Sequence, residues 1–337
     1  MYFIRPEDCQ LKANLHSHSV LSDGKLTPEE LVSAYKEREY SVLAITDHEA
    51  PYDHSVLSTS DFLLITGYEV YIRNSPTCAF DVFKPEIHLN LLAREPHNTT
   101  FIGYDPNYCK YMPHDVARTR KMGEVPGSRS YTKEYIQRFI NIARENGYLI
   151  SYNHPCWSME NPGDILEYEG FFSLEVFNTG SMMINGYENN MALYDQLLRR
   201  GRRIFCHGAD DNHNKKPFDD LLCDSFGAWT MILADKPDYD VVITALEQGR
   251  FYASTGVRIN AFETEGKHVH MEFSPAQRVI MHISPKRSVN VYQPDGKAFT
   301  SCDMEIPDEA PYVYFSVIAS DGSRAEMRAF TRKELGI

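Results

Sequence analysis

Lys12-Ala-Asn-Leu-His16-Ser-His18-Ser-Val-Leu-Ser22-Asp23-Gly24 places two histidines one residue apart at the end of an extended segment. A carboxylate follows at a Ser-Asp-Gly turn. Side chains alternate with a period of two along an extended chain, so His16 and His18 point the same way. Two imidazoles on one face, with a carboxylate close behind, make the start of a metal site. A lone His-x-His is weak evidence, because most histidines only satisfy ordinary hydrogen bonds. It gains weight if other ligand-type side chains arrive at the ends of other strands.

Outward from that stretch, short apolar strands alternate with amphipathic helices. Thr27-Pro28-Glu29-Glu30 reads as an N-cap, an N1 proline and a capping-box glutamate, opening a helix to about Arg38. Val42–Ile45 is a buried strand ending in Thr46-Asp47-His48. Leu63–Thr66 is the next, ending in Gly67-Tyr-Glu69, and Glu86–Ala93 contains His88. A helix carrying Ile136, Phe139, Ile140 and Ala143 stops at Asn146-Gly147. It hands over to Leu149–Asn153 and then His154-Pro155. Phe172–Asn178 and a helix near 191–200 lead to Arg203–Gly208, which runs into Ala209-Asp210-Asp211-Asn212-His213. Counting Lys12–His16, seven strands in a strand–helix–strand rhythm predict a parallel sheet.

The polar residues carry the functional expectation. His16, His18, Asp23, His48, Glu69, His154 and the Asp210-Asp211-Asn212-His213 cluster all fall at or just past a strand's C-terminal end, while His88 lies inside its strand. That rim is where active sites assemble in a barrel of parallel strands. Asp47 reads as a side chain that orients a neighbour rather than a ligand. His54, His97, His114, His268, His270 and His282 fit no strand-end pattern and read as surface or loop residues. His207, inside its strand, is left out. So many histidines and carboxylates on one rim predict a metal centre.

The wider sequence bounds the function. The chain has 337 residues, a net charge of −13 and seven cysteines without regular spacing. The acidic balance argues against a long nucleic acid as partner, though a local basic pocket for a small phosphate remains compatible with it. The cysteines fit a reducing cytoplasm, and neither a signal-like apolar core nor a membrane-length run is present. Between Ala93 and about Tyr131 lies a long segment without clear periodicity, of the kind that forms lids or binding loops. It holds Arg118, Arg120 and Arg129, whose guanidinium forks suit phosphate oxygens; a solvated charged face is the other reading. Tyr104, Tyr108 and Tyr111 could stack on a ring or pack on their own loop.

The ordered set His-x-His, Ser-Asp-Gly, Thr-Asp-His, Gly-x-Glu-Val, a strand histidine, Asn-His-Pro and Gly-x-Asp-Asp-x-His resembles the polymerase and histidinol phosphatase (PHP) family over about residues 10–215. The resemblance implies a distorted (β/α)7 barrel with two or three divalent metals, Zn, Mn or Fe. It further implies that His16, His18, Glu69 and the last aspartate hold the first metal. Glu69, His88 and His154 would hold the second, and Asp23, His48 and His213 the third. Family members usually end in Gly-Ser-Asp-x-His. Aligning this chain from Gly208 selects Asp210, and aligning from His213 selects Asp211, so both stand as candidates.

The expected activity is hydrolysis of a small phosphomonoester by a metal-activated hydroxide, with Glu69, His154 and Asp210 or Asp211 as the catalytic set. A phosphodiesterase acting on short oligonucleotides and a non-catalytic metal-binding module are the alternatives. Past His213 the character changes. Phe226–Leu233 reads as a strand, Asp240–Gly249 as a helix with a glycine stop, and from Val257 short alternating strands (Val279–Ser284, Val289–Tyr292, Tyr312–Ala319, Ala325–Phe330) predict a β-sandwich. The expected division is a hydrolase barrel over 1–256 and an accessory β-domain over 257–337. The oligomeric state and any partner protein have no signal in the sequence.

Overall fold

The computed structural model describes residues 2–73, 85–160, 162–187, 189–283 and 287–337. It opens with β1 (Tyr2–Ile4), β2 (Gln10–Asn14), α1 (Pro28–Lys36), β3 (Val42–Ile45), β4 (Leu63–Arg73) and β5 (Glu86–Ala93). The start of α1 is fixed by a reciprocal capping box between Thr27 and Glu30, and the helix buries Leu31, Ala34 and Tyr35. β6 (Phe101–Ile102), α2 (His114–Ala117), β7 (Met122–Gly123) and α3 (Lys133–Glu145) follow. α3 places Tyr135, Ile136, Phe139, Ile140 and Ala143 on one buried face, in one core with Phe101, Ile102, Tyr148 and Ile150. Next come β8 (Tyr148–Tyr152), α4 (Pro162–Ile165), β9 (Ser173–Asn178), α5 (Met191–Arg199), β10 (Phe205–Ala209), β11 (Trp229–Leu233), α6 (Tyr239–Gln248) and β12 (Phe251–Ser254).

The fold is mixed α/β, and the expectation of an all-parallel sheet fails at β5. Strands β2, β3 and β4 run parallel, as do β8, β9 and β10, but β5 is antiparallel to both of its neighbours, β4 and β8. The cause is local. β4 does not stop at Thr66 but continues to Arg73, and β5 pairs along this extended strand from Arg73 opposite Glu86 to Gly67 opposite Leu92. The reversal matters for the site. The N-terminal end of β5, with His88, comes to the rim where the parallel strands end.

The sheet also curls. Beyond β2 and β10, His18 N donates to the Asn212 carbonyl (3.0 Å) and Asp211 N donates to the His16 carbonyl (2.9 Å). Gly208 permits β10 to come close to β11, since a Cβ would lie 2.9 Å from the Trp229 carbonyl oxygen. The segment following Ala93, expected as a lid, instead packs Phe101, Ile102, Cys109, Met112 and Ala117 into the core.

The remaining elements are β13 (Ile259–Glu265), β14 (His268–Ala276), β15 (Arg278–Ile283), β16 (Arg287–Tyr292), β17 (Phe299–Glu305), β18 (Tyr312–Ile318), β19 (Arg324–Met327), β20 (Phe330–Thr331) and α7 (Arg332–Leu335). Ser284, in an expected strand, lies outside the described residues. A four-stranded sheet ordered β1-β13-β14-β17 shares a core with β15 and β18, in which Phe262, Val269 and Met271 meet Val279, Met281 and Phe315. The boundary after Gly256 is crossed twice. β1, from the N-terminus, pairs with β13, and β12 pairs with β11 on one side and β19 on the other. Among the described residues no helix is long and apolar enough to cross a membrane.

Candidate metal centre

The curl brings the ends of separate strands to one mouth, a cavity of about 320 Å³ lined by Asp23, His48, Glu69, His88, His154, Asp211 and His213 together with Trp157, Ile184 and Lys215. His16 and His18 lie fully buried beneath it. Their Nε2 atoms are 3.2 Å apart, and Asp211 Oδ1 sits 3.1 Å from the first and 3.0 Å from the second. Glu69 reaches both imidazoles, with Oε1 3.3 Å from His16 and Oε2 3.4 Å from His18. Its carboxylate also lies 2.9 Å from His48 Nδ1, 3.1 Å from His88 Nδ1 and 3.4 Å from His154 Nε2. On the outer side, Asp23 Oδ1 is 3.2 Å from His213 Nε2 and 3.7 Å from His48 Nε2. Side-chain donor atoms gather as His16, His18, Glu69 and Asp211; as His48, Glu69 and His88; and as His18, Asp23, His48 and His213.

The supporting shell fixes which nitrogen faces inward. His16 Nδ1 lies 3.0 Å from Glu175 Oε1, so a proton there leaves the Nε2 lone pair to the cluster. His213 Nδ1 lies 3.0 Å from the Asp211 carbonyl, which can only accept, and its Nε2 is left facing Asp23. Asn153 donates to Glu69 Oε1 (2.9 Å), and Asn178 donates to both Glu175 (2.8 Å) and Asp211 (3.2 Å). His154 and Asp211 both hold left-handed backbone, φ 24° and 53°. Such strain at non-glycine residues persists where surrounding contacts impose it. Here His154 N donates to Glu175 and Asp211 N to the His16 carbonyl.

The donor set fits divalent cations. Glu69 Oε2, Asp23 Oδ1, His48 Nδ1 and His88 Nε2 are buried without a hydrogen bond, although His48 Nδ1 and Glu69 Oε2 are only 2.9 Å apart. Buried polar atoms this close without hydrogen-bonding geometry are costly unless something charged lies between them. The electrostatics agree. Burial pushes the Glu69 carboxyl up, but the facing imidazoles of His16, His88 and His48 hold it well below the usual range. Asp211 behaves likewise, with His16, His18 and His154 overcoming burial. Burial, reinforced by His48 and His213, lowers His18 to about 4.

Several expectations are corrected here. Asp210 is not in the cluster. It is fully buried with its carboxylate turned away, accepting from Tyr35 OH (2.7 Å), Thr179 Oγ1 (2.6 Å) and the backbone N–H groups of Phe226, Gly227 and Ala228. Asp211, past the end of β10 and in left-handed backbone, turns its carboxylate to His16 and His18 instead. Arg129 is no phosphate clamp. Its guanidinium is locked in a buried ion pair with Glu49 (2.5 and 3.1 Å) and donates to the Tyr71 and Gly103 carbonyls. Arg118 is exposed on the cap of α2 and Arg120 lies near the Tyr52 ring; neither lines the cavity. Glu69 lies inside β4 rather than past its end, because that strand runs on to Arg73.

Three residues near the centre had no role in the sequence reading. Glu175 was visible as a carboxylate near the end of a predicted strand, the position shared by the other candidates. Lys215 follows His213 by two residues, and its Nζ lies 3.4 Å from Asp23 Oδ2. Trp157 packs edge-on against His88 and His154, with ring centroids 5.3 and 5.1 Å away, and nothing in the sequence singled it out.

No curated protein matches the chain. Among solved structures it is similar to a two-domain protein of Bacteroides vulgatus containing a predicted PHP-like metal-dependent phosphoesterase, at 15% identity and TM-score 0.44, covering 97% of this chain and 96% of the other. It is also similar to an amidohydrolase from Chromobacterium violaceum with bound sulfate and no metal, at 17% identity and TM-score 0.42, covering 71% and 96%. Residues 14–104 match the model of the PHP domain family.

Proposed function

We propose that this chain is a metal-dependent phosphoesterase acting on a small phosphomonoester. The observation that carries the reading is the convergence of six imidazoles and three carboxylates, His16, His18, His48, His88, His154, His213, Asp23, Glu69 and Asp211, on one cavity with buried donor atoms left unpaired. Two or three divalent cations, Zn, Mn or Fe, would be held by His16, His18, Glu69 and Asp211, by Glu69, His88 and His154 with His48 alongside, and by Asp23, His48 and His213. Cations held there would supply Lewis-acid stabilisation of phosphate oxygens and would acidify water. The protein's own part is orientation. Glu175 holds the His16 ring, Asn153 and Asn178 fix the carboxylates of Glu69 and Asp211, and Lys215 offers the cavity a positive charge. Trp157 walls part of the mouth against water.

Strands β2, β3, β4, β5, β8, β9 and β10 form, on this reading, a distorted (β/α)7-type barrel with one strand reversed, and residues 257–337 an accessory β unit. A phosphodiesterase working on oligonucleotides would want a run of cations leading from the mouth, whereas the described lining holds Lys215 alone. The test is metal content by elemental analysis, then hydrolysis of a phosphate-ester panel by Mn-loaded protein. More than one metal per chain with monoester turnover is expected. Bound metal with no turnover of any monoester or diester would make the centre a binding module instead.

A further inference from the structure

We infer that the cavity selects a phosphomonoester whose alcohol part is apolar and uncharged, gripped between Ile184 and Trp157. The inference rests on the phosphoesterase reading and concerns the part of the lining that offers no metal-ligand atom. Ile184 lies on a π-helical turn, Ser181–Asn185, that lines the mouth, and it is 60% exposed. Single-turn π-helical segments are rare and occur often at functional sites.

This turn is not a loose loop. Gly180 N donates to the Asp210 carbonyl (2.8 Å) and Ser181 N to Asn178 Oδ1 (2.7 Å), and the same Asn178 amide holds Asp211 and Glu175. Gly186, left-handed at φ 67°, ends it. The start of the turn that carries Ile184 is therefore tied to the donor cluster, and Trp157 packs edge-on against two of the cluster's imidazoles. An anchored apolar ledge left open beside a charged centre recognises something apolar carried by the same molecule that the centre binds.

Charge sharpens the class. Lys215 is the one cationic side chain in the described lining, and it already faces Asp23. A second phosphate or a carboxylate on the alcohol part would meet Ile184, Trp157 and the neutral Ser181 and Asn185, with no second cation in the described lining. A volume of about 320 Å³ leaves room for a group the size of a fused ring and little more.

Two measurements on the Mn-loaded full chain test this. In the first, 1-naphthyl phosphate should exceed glycerol 3-phosphate in kcat/KM by about tenfold or more, as expected for an apolar pocket. A nucleoside 3′,5′-bisphosphate should rank below both. Ile184→Ser, on an exposed turn position, should collapse the naphthyl-to-glycerol ratio towards one, mainly through KM. The second is calorimetric binding of 1-naphthylmethylphosphonate against methylphosphonate, which needs no turnover. The difference in affinity should be present in the parent and shrink in Ile184→Ser. Equal affinities, or a difference untouched by Ile184→Ser, overturn the ledge even if hydrolysis is brisk. Preferential naphthyl binding without hydrolysis of any ester overturns the phosphoesterase reading and leaves the ledge standing. Binding of neither phosphonate overturns it as well.

Discussion

The chain contains two His-x-His pairs, and they have opposite surroundings. His16-Ser-His18 lies just past β2 at the curled rim, both rings fully buried, with Nε2 atoms 3.2 Å apart and shared by Glu69 and Asp211. His268-Val-His270 lies within β14 of the accessory sheet, its side chains 56% and 28% exposed. Both of its imidazoles contact a single exposed carboxylate, Asp303, at 3.0 and 2.9 Å. The motif is the same. What differs is what the fold brings to them: Glu69, Glu175 and Asp211 from three other chain segments in one case, and the solvated Asp303 and Glu272 in the other. Exposed ion pairs of the second kind contribute little. A pair of histidines becomes a candidate metal site through convergence and dehydration rather than through spacing.

The sharpest way to break that contrast is to cut a ligand from the buried pair. His16→Ala should lower metal content and reduce phosphomonoester turnover by about a thousandfold or more, since several kcal/mol of Lewis-acid stabilisation go with the cation. Elemental analysis alongside kinetics checks it, and unchanged metal content would place the centre elsewhere. Next come the two adjacent aspartates. Asp211→Asn should lose metal together with activity, whereas Asp210→Asn should keep metal and lose activity by only about 10–100-fold, as outer-shell partners do. If the two variants exchanged behaviours, the orientation of the segment past β10 would be wrong.

Stability predictions are smaller and separate fold from site. Removing Arg129 leaves Glu49 as a buried charge without its partner, so Arg129→Ala should cost about 3–5 kcal/mol in denaturant unfolding. The KM for a phosphomonoester should change little in whatever fraction folds. Glu160 gives a pH-dependent effect. Burial lifts its carboxyl to about 8, against the lowering influence of the hydrogen bond from Tyr131. Because the folded value exceeds the unfolded value of about 4.3, the native state holds the extra proton in between, and stability falls as pH rises from about 4 to 8. Glu160→Gln should therefore raise the melting temperature most at pH 8 and hardly at all near pH 4. Smallest of all, His268→Ala and His270→Ala should leave metal content and melting temperature unchanged within error. A loss of metal from either would undo the comparison.

Much of this was legible in the residues themselves, for a physical reason. Capping chemistry at Thr27, the buried helical face of Ile136, Phe139 and Ile140, and strand-end histidines are all set by neighbours within a few positions, so local sequence determines them. The direction of β5 was not legible, because pairing partners distant in sequence decide it, and with it the reason His88 reaches the rim from inside a strand. The choice between Asp210 and Asp211 also escaped the sequence. Two adjacent carboxylates differ only in which face they take, and that is decided by Tyr35, Thr179 and the backbone at 226–228 arriving to satisfy one of them. Arg129 looked like a free phosphate ligand until the fold supplied Glu49. Composition and spacing determined which chemistry the chain could assemble; which copies of a repeated motif were buried, paired or left facing one another was decided only when the sheet curled, because burial and convergence belong to contacts between remote segments.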